Sequence, residues 1–209
     1  MAARIANRPA RTSAILQAAA QVFAAQGYQA ATIDEIAERA GIGKGTVYEY
    51  FRSKQDLFFA VFDDYIASME AVAQETAEAP SATAAARLQQ SIHTVLAMSA
   101  QTVDLFPLVF EFWAASASPD RQARVAQMFR ETYGKFRALI AGQILSGQQA
   151  GEFDPGIDAT GIAAVLVGAL DGLFLQAWFD RTLDPVSMGD AFVAVVLRGL
   201  AKRRKASPK

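Results

Sequence analysis

A chain of 209 residues without cysteine is long enough for one or two domains with a sizeable core, and it excludes disulfides and thiolate metal sites. About half of it is apolar (52%) and a fifth is charged (20%), the balance of a globular protein rather than a disordered one. The net charge of −1 hides an asymmetry: residues 1–54 carry seven basic and four acidic side chains, residues 55–200 eight and seventeen, and residues 201–209 five basic ones and no acidic one. An acidic body with basic ends suits a polyanionic partner, while residues 201–209 taken alone read as a solvated terminus. The opening MAARIANRPARTSA lacks the apolar core of a signal peptide, so the expected location is the cytoplasm.

Helical signals follow in chain order. Ile15, Leu16, Ala19, Ala20, Val22 and Phe23 recur at helical spacing up to Gly27, a residue suited to ending the helix. Thr32 with Glu35 three residues on is a capping box, and Ile33, Ile36, Ala37 and Ala40 then form a stripe that stops at Gly41. A short helix is expected over Lys44–Phe51. Ser53 begins another, with Leu57, Val61, Tyr65, Ile66, Met69 and Val72 on its apolar side, running to Pro80. Ser81, Asp104, Ser118, Asp158 and Asp184 are plausible N-caps, the third and fifth followed by proline at a first helical position. Gly151 suits the end of a long helix over about 119–150. No stretch alternates with period two, so no strand is expected.

The stretch GIGKGTVYEYF, Gly41–Phe51, has the look of a phosphate cradle. A nucleotide-binding loop needs Gly, four spacers and Gly-Lys-Ser/Thr after a strand. Here Gly43-Lys44 is followed by Gly45, Glu38 stands where the first glycine should be, and a capped amphipathic helix precedes. The layout is instead that of a helix-turn-helix: two short helices joined by a tight glycine-containing turn. Val47 and Phe51 lie four apart and can pack on Ile36 and Ala40, leaving Gly45, Tyr48, Glu49 and Arg52 outward. Gly43 and Gly45 keep the second helix's N-terminus free of bulk, where backbone N–H groups and the positive helix end favour a phosphate. Thr46, Tyr48, Tyr50 and Lys54 supply hydroxyls and a cation for phosphate oxygens.

From Thr32 to Leu57 the sequence TIDEIAERAGIGKGTVYEYFRSKQDL resembles the N-terminal signature of the TetR family of bacterial transcriptional regulators, with Gly43 in place of a commoner small residue. The resemblance covers about the first quarter of the chain. It implies an all-α fold: a three-helix DNA-binding domain with the helix-turn-helix at 1–53, followed by a larger helical ligand-binding and dimerisation domain at 54–209. It implies that Thr32, Thr46, Tyr48, Tyr50 and Lys54 hold the DNA backbone, while Lys44, Gly45 and also Tyr48 approach bases. Glu49 either accepts from a cytosine amino group or is simply solvated. Arg4, Arg8 and Arg11 form either a DNA-contacting arm or a frayed terminus.

In the acidic body, residues 161–179 are long and apolar enough to raise the transmembrane question, but Asp171 and Gln176 interrupt them and no basic cluster flanks them. Gly161, Gly168, Gly172 and Phe179 share one side, opposite Leu166, Leu170, Leu173 and Ala177. With Val193, Val196 and Leu197 of an apolar final helix, that side is the expected dimer interface, and TetR relatives dimerise through their last two helices. Phe106, Phe110, Glu111, Trp113, Phe129, Tyr133, Phe136, Phe174 and Trp178 are the candidate lining of a pocket for a small lipophilic or aromatic inducer. One histidine and no cysteine leave no telling metal set, and no cofactor is expected. The expected function is a ligand-responsive repressor, homodimeric on a pseudo-palindromic operator. The competing reading is a small helical enzyme using Glu111, Asp171 or His93, for which no nucleophile–base spacing stands out.

Overall fold

The computed structural model describes residues 8–77, 83–101, 108 and 119–202. Among these the regular elements are all helices: α1 Arg8–Ala30, α2 Ile33–Arg39, α3 Lys44–Tyr50, α4 Lys54–Ala77, α5 Ala84–Gln101, α6 Pro119–Gln149, α7 Ala159–Phe179 and α8 Pro185–Leu200. The chain is all-α, and its extended pairing among the described residues is a single isolated bridge, Phe153 with Ala201. Two compact units divide inside α4, between Ser68 and Met69, and again inside α6, between Ala123 and Arg124. The charge break near residue 53 marks the start of α4.

The first unit is organised by aromatic burial. Gly27 adopts φ 79°, which interrupts α1 three residues from its end and lets the chain double back. A residue with a Cβ would be strained there. The reversal lays Tyr28 against Phe23 at 5.9 Å and against Phe58 at 5.2 Å between ring centroids, with Phe23 and Phe58 edge to face at 5.6 Å. Ile15, Val22, Ile36, Val47 and Leu57 fill the rest of this core from four different helices.

In the second unit, Leu88, Ile92 and Leu96 of α5 meet Ile140 and Ile144 of α6, Ala163, Leu166 and Phe174 of α7, and Val193 and Leu200 of α8. Gly151 ends α6, as expected, with φ +75°. The turn that follows fastens three helix ends at once. Phe153 is buried against Gly147, where a Cβ would collide with the ring. The Glu152 carboxylate accepts from the Ala84 and Ala85 N–H groups at 2.9 and 3.4 Å and so caps α5. Asp154 N–H donates to Leu200 at 2.8 Å, holding the end of α8. Asp158 and Asp184 cap α7 and α8 as their sequence positions suggest, accepting from Thr160 at 3.0 Å and Val186 at 3.1 Å. Thr83 caps α5 locally by accepting from Ala86 at 3.1 Å. The other expected caps, Ser81, Asp104 and Ser118, lie outside the described residues.

Candidate nucleic-acid interface

Local signals set the helix-turn-helix. Thr32 caps α2: its hydroxyl accepts from Glu35 N–H at 3.3 Å, while the Glu35 carboxylate accepts from Thr32 N–H at 2.9 Å and from its hydroxyl at 2.7 Å. These hydrogen bonds, with the Thr32 hydroxyl contributing most, hold the Glu35 carboxyl below its ordinary pKa. At the other end of α2, Ile42 N–H donates to Ala37 and Gly41 N–H to Glu38, each at 3.0 Å. This is the paired closure in which the residue after the cap is left-handed, and Gly41 has φ +67°. The chain thus reverses within three residues and starts α3 at Lys44.

α3 has two unlike sides. Val47 is fully buried, whereas Tyr48, one residue on, is 47% exposed. Gly43 is the N-cap and supplies no side-chain cap. A Cβ built on Gly43 or Gly45 would meet no atom within 4 Å, so packing inside the protein does not require either glycine. The helix ends at Tyr50, and Phe51 adopts an extended cap conformation, one residue before the expected end. Tyr50 is half-buried with the Arg8 guanidinium 5.2 Å from its ring centroid, which gives Arg8 a place on α1 in this unit.

Two basic residues are engaged in ways their sequence positions did not announce. Lys54, expected to grip phosphate, directs its ammonium into the protein. It donates to the carbonyls of Tyr28 at 2.8 Å, Gln29 at 3.1 Å and Ala31 at 2.9 Å, and lies 4.6 Å from the Tyr28 ring centroid. An ammonium has three hydrogens, and these three carbonyls take them. Lys54 therefore fastens α4 to the end of α1, where the helix dipole favours a cation. Lys44 donates to Asp34 Oδ2 at 2.7 Å, linking the first turn of α3 to the first turn of α2. That carboxylate raises the Lys44 pKa.

Of the expected pocket residues, Phe106, Phe110, Glu111 and Trp113 lie outside the described residues. Phe129 and Tyr133 stack on α6 with centroids 5.6 Å apart, and Phe136 follows one turn later. Tyr133 shares a hydrogen bond with Asp171 of α7; burial raises the pKa of both groups, and the bond partly offsets the rise at Asp171. Phe174 is buried in the core, and Trp178 meets Phe179 edge to face at 4.6 Å. Sequence reasoning missed Gln143. Its amide donates to Ser91 Oγ at 3.1 Å, Ser91 donates to the Ala73 carbonyl at 3.3 Å, and Gln143 Oε1 is buried without a hydrogen-bond donor. His93 pairs with Asp190 at 2.8 Å, so His93 and Asp171 belong to two separate hydrogen-bonded pairs.

The expected interface residues divide by environment. Phe179 is 74% exposed, and Gly168 and Gly172 face open space. Val165 on the same side of α7 is 65% exposed, and Leu175, Met188 and Val195 are exposed as well. Gly161 abuts the Asp158 cap, where a Cβ would crowd the carboxylate. Val193 is 1% exposed and belongs to the protomer's own core, with Val196 and Leu197 partly buried against it. By length and composition α7 is the one described helix apolar enough to cross a membrane, yet Ala163, Leu166, Phe174 and Ala177 are buried within its unit.

Comparison with known proteins matches both parts of the chain. Residues 15–61 match the family described as bacterial regulatory proteins of the tetR family, and residues 84–203 match the C-terminal domain of BetI-type transcriptional repressors. An uncharacterised helix-turn-helix-type transcriptional regulator of Bacillus subtilis, YhgD, is 30% identical over 137 residues, 66% of this chain and 71% of its own. The fatty acid metabolism regulator protein of the same organism is 23% identical over 192 residues, 89% of this chain and 93% of its own. The crystal structure of the B. subtilis transcriptional regulator FadR in complex with stearoyl-CoA superposes with a TM-score of 0.73 at 22% identity, covering 90% of this chain and 98% of that one.

Proposed function

This chain belongs to the TetR family of bacterial transcriptional regulators, and we propose that it acts as a homodimeric repressor whose grip on a pseudo-palindromic operator is released by a lipophilic inducer. The observation that carries the proposal is the two-sidedness of α3. Val47 is spent on the core, while Tyr48 and two glycines with nothing against them face outward. On DNA, Gly43 and Gly45 let backbone approach the sugar-phosphate, Thr46, Tyr48 and Tyr50 offer hydroxyls, and Lys44 offers a cation near base edges, whereas Thr32 has already given its one hydroxyl hydrogen to Glu35. Lys54 is left out of this set because its ammonium is already occupied.

Two-fold symmetry of the operator requires two copies of the head. The exposed apolar side of α7, with Val165, Leu175 and Phe179, and that of α8, with Met188 and Val195, supply the surface for a second copy. That partner, rather than lipid, covers α7, and the protein works in the cytoplasm. The aromatic run on α6 with the Tyr133–Asp171 pair and, separately, the undonated carbonyl of Gln143 supply the apolar and polar groups that a small-molecule site combines. The B. subtilis complex makes a long-chain acyl-CoA the first compound to try. An inducer acts only through different affinities for the DNA-competent and incompetent forms, so inducer and operator must weaken one another equally, by roughly 5- to 150-fold. The test is a gel shift with the DNA upstream of the protein's own gene. A selective band lost on adding palmitoyl- or stearoyl-CoA supports the reading in full. A selective band that no acyl-CoA affects removes the inducer class alone, and the absence of any selective band refutes the repressor.

A further inference from the structure

Lys44 is the only charged side chain at the leading end of α3, because glycines flank it on both sides. Its position is electrostatically awkward: the first turn of a helix carries positive partial charge, which repels a cation. Asp34 answers that. It stands in the first turn of α2, where an anion is favoured, and its Oδ2 accepts from Lys44 Nζ at 2.7 Å across the turn. Both side chains are largely in water, Lys44 at 51% and Asp34 at 66% exposed, so the contact is open to a third party.

Building on the reading of α3 as the DNA-reading helix, we propose that Asp34 is a specificity-determining residue: it holds the Lys44 ammonium toward base edges and withholds it from indiscriminate pairing with phosphate. An ammonium has three donors, so Lys44 can keep its bond to Asp34 and still donate to an acceptor pair such as the O6 and N7 of guanine. A phosphate elsewhere along the duplex competes with Asp34 for the same charge and must approach a second carboxylate oxygen that repels it. The net effect is to lower binding to any duplex while sparing the one whose bases meet Lys44. No other residue at the tip can do this, since Gly43 and Gly45 have no side chains and Thr46 is uncharged.

The test uses the full-length chain, a duplex that the wild-type protein selects from a random-sequence pool, and a scrambled duplex of equal length and composition. Affinities are measured by fluorescence anisotropy across a range of salt for wild type, Asp34→Asn, Lys44→Ala and the double variant. Asp34→Asn frees one cation for phosphate, which steepens the salt dependence on the scrambled duplex by about 0.9 in log K against log salt. At 0.15 M salt that is a gain of about fivefold on scrambled DNA. Binding to the selected duplex should change by less than about twofold, so the ratio between the two should fall. In the Lys44→Ala background the Asp34 substitution should have little effect on either duplex. Unchanged slopes and an unchanged ratio in Asp34→Asn would overturn the proposal. So would an Asp34→Asn effect of full size in the absence of Lys44, which would make Asp34 a general repellent of DNA. Failure of the wild-type chain to select any duplex would instead remove the DNA-binding assignment of α3 on which this rests.

Discussion

Replacing Lys54 by methionine separates two roles for a residue whose sequence context suggested phosphate binding. Methionine keeps most of the aliphatic stem and deletes the charge. In the folded head the ammonium donates to three carbonyls at the end of α1 and faces the Tyr28 ring at 4.6 Å. The Tyr28 and Ala31 bonds are partly buried and the Gln29 bond is exposed, so water can replace only the last. Losing two partly buried charge-assisted bonds at about 1 kcal/mol each, plus about 0.5 kcal/mol from the ring, gives a destabilisation of about 2–3 kcal/mol. In a chain of this size that lowers Tm by roughly 5–10 °C. Differential scanning fluorimetry measures it, and hydrogen exchange should localise the loss to residues 27–33. Below the melting transition, the salt slope for operator binding should match wild type, because no phosphate contact has been removed. A Tm within 1 °C of wild type together with a slope reduced by about one would refute the reasoning and return Lys54 to the DNA backbone.

Thr32→Ala removes the N-cap of α2 and should cost about 1 kcal/mol, read by urea denaturation at pH 7. The same pair carries a pH signature. Glu35 has its folded pKa held below its ordinary 4.5, so its contribution is fully present above that value and fades as pH falls through the folded value. Wild-type stability should therefore decline below about pH 4.5 more steeply than that of Thr32→Ala, which has lost the strongest of the bonds responsible. On α7, Val165→Arg should leave the circular dichroism spectrum intact and convert a dimer into a monomer by sedimentation equilibrium, since Val165 is exposed in the protomer. A persistent dimer would place the interface elsewhere.

What the sequence disclosed was what neighbouring residues decide. Gly27, Gly41 and Gly151, read as helix ends, are the glycines with positive φ among the described residues. The Thr32–Glu35 box and the Asp158 and Asp184 caps depend on partners two or three residues away, and they form as their spacing indicates. What stayed hidden depends on chain reversal. Nothing near Lys54 indicates that the carbonyls of Tyr28, Gln29 and Ala31 will surround it, and Glu152 caps a helix that begins 68 residues earlier. Lys44 meets Asp34 only because the closure at Gly41 folds one short helix onto the next. On α8 the helical period identified an apolar side but not which neighbour would take it. The protomer's own core takes Val193, while Val195 is left exposed.

Gly45→Leu puts the account's central claim, that the leading end of α3 lies against duplex DNA, to the most direct test. Nothing in the protein stands within 4 Å of a Cβ there, and leucine is a better helix former than glycine, so the variant should melt no lower than wild type. Its affinity for the selected duplex should nevertheless fall at least tenfold, because the side chain occupies the space the DNA backbone needs. A variant that folds normally and binds that duplex as tightly as wild type would contradict the account.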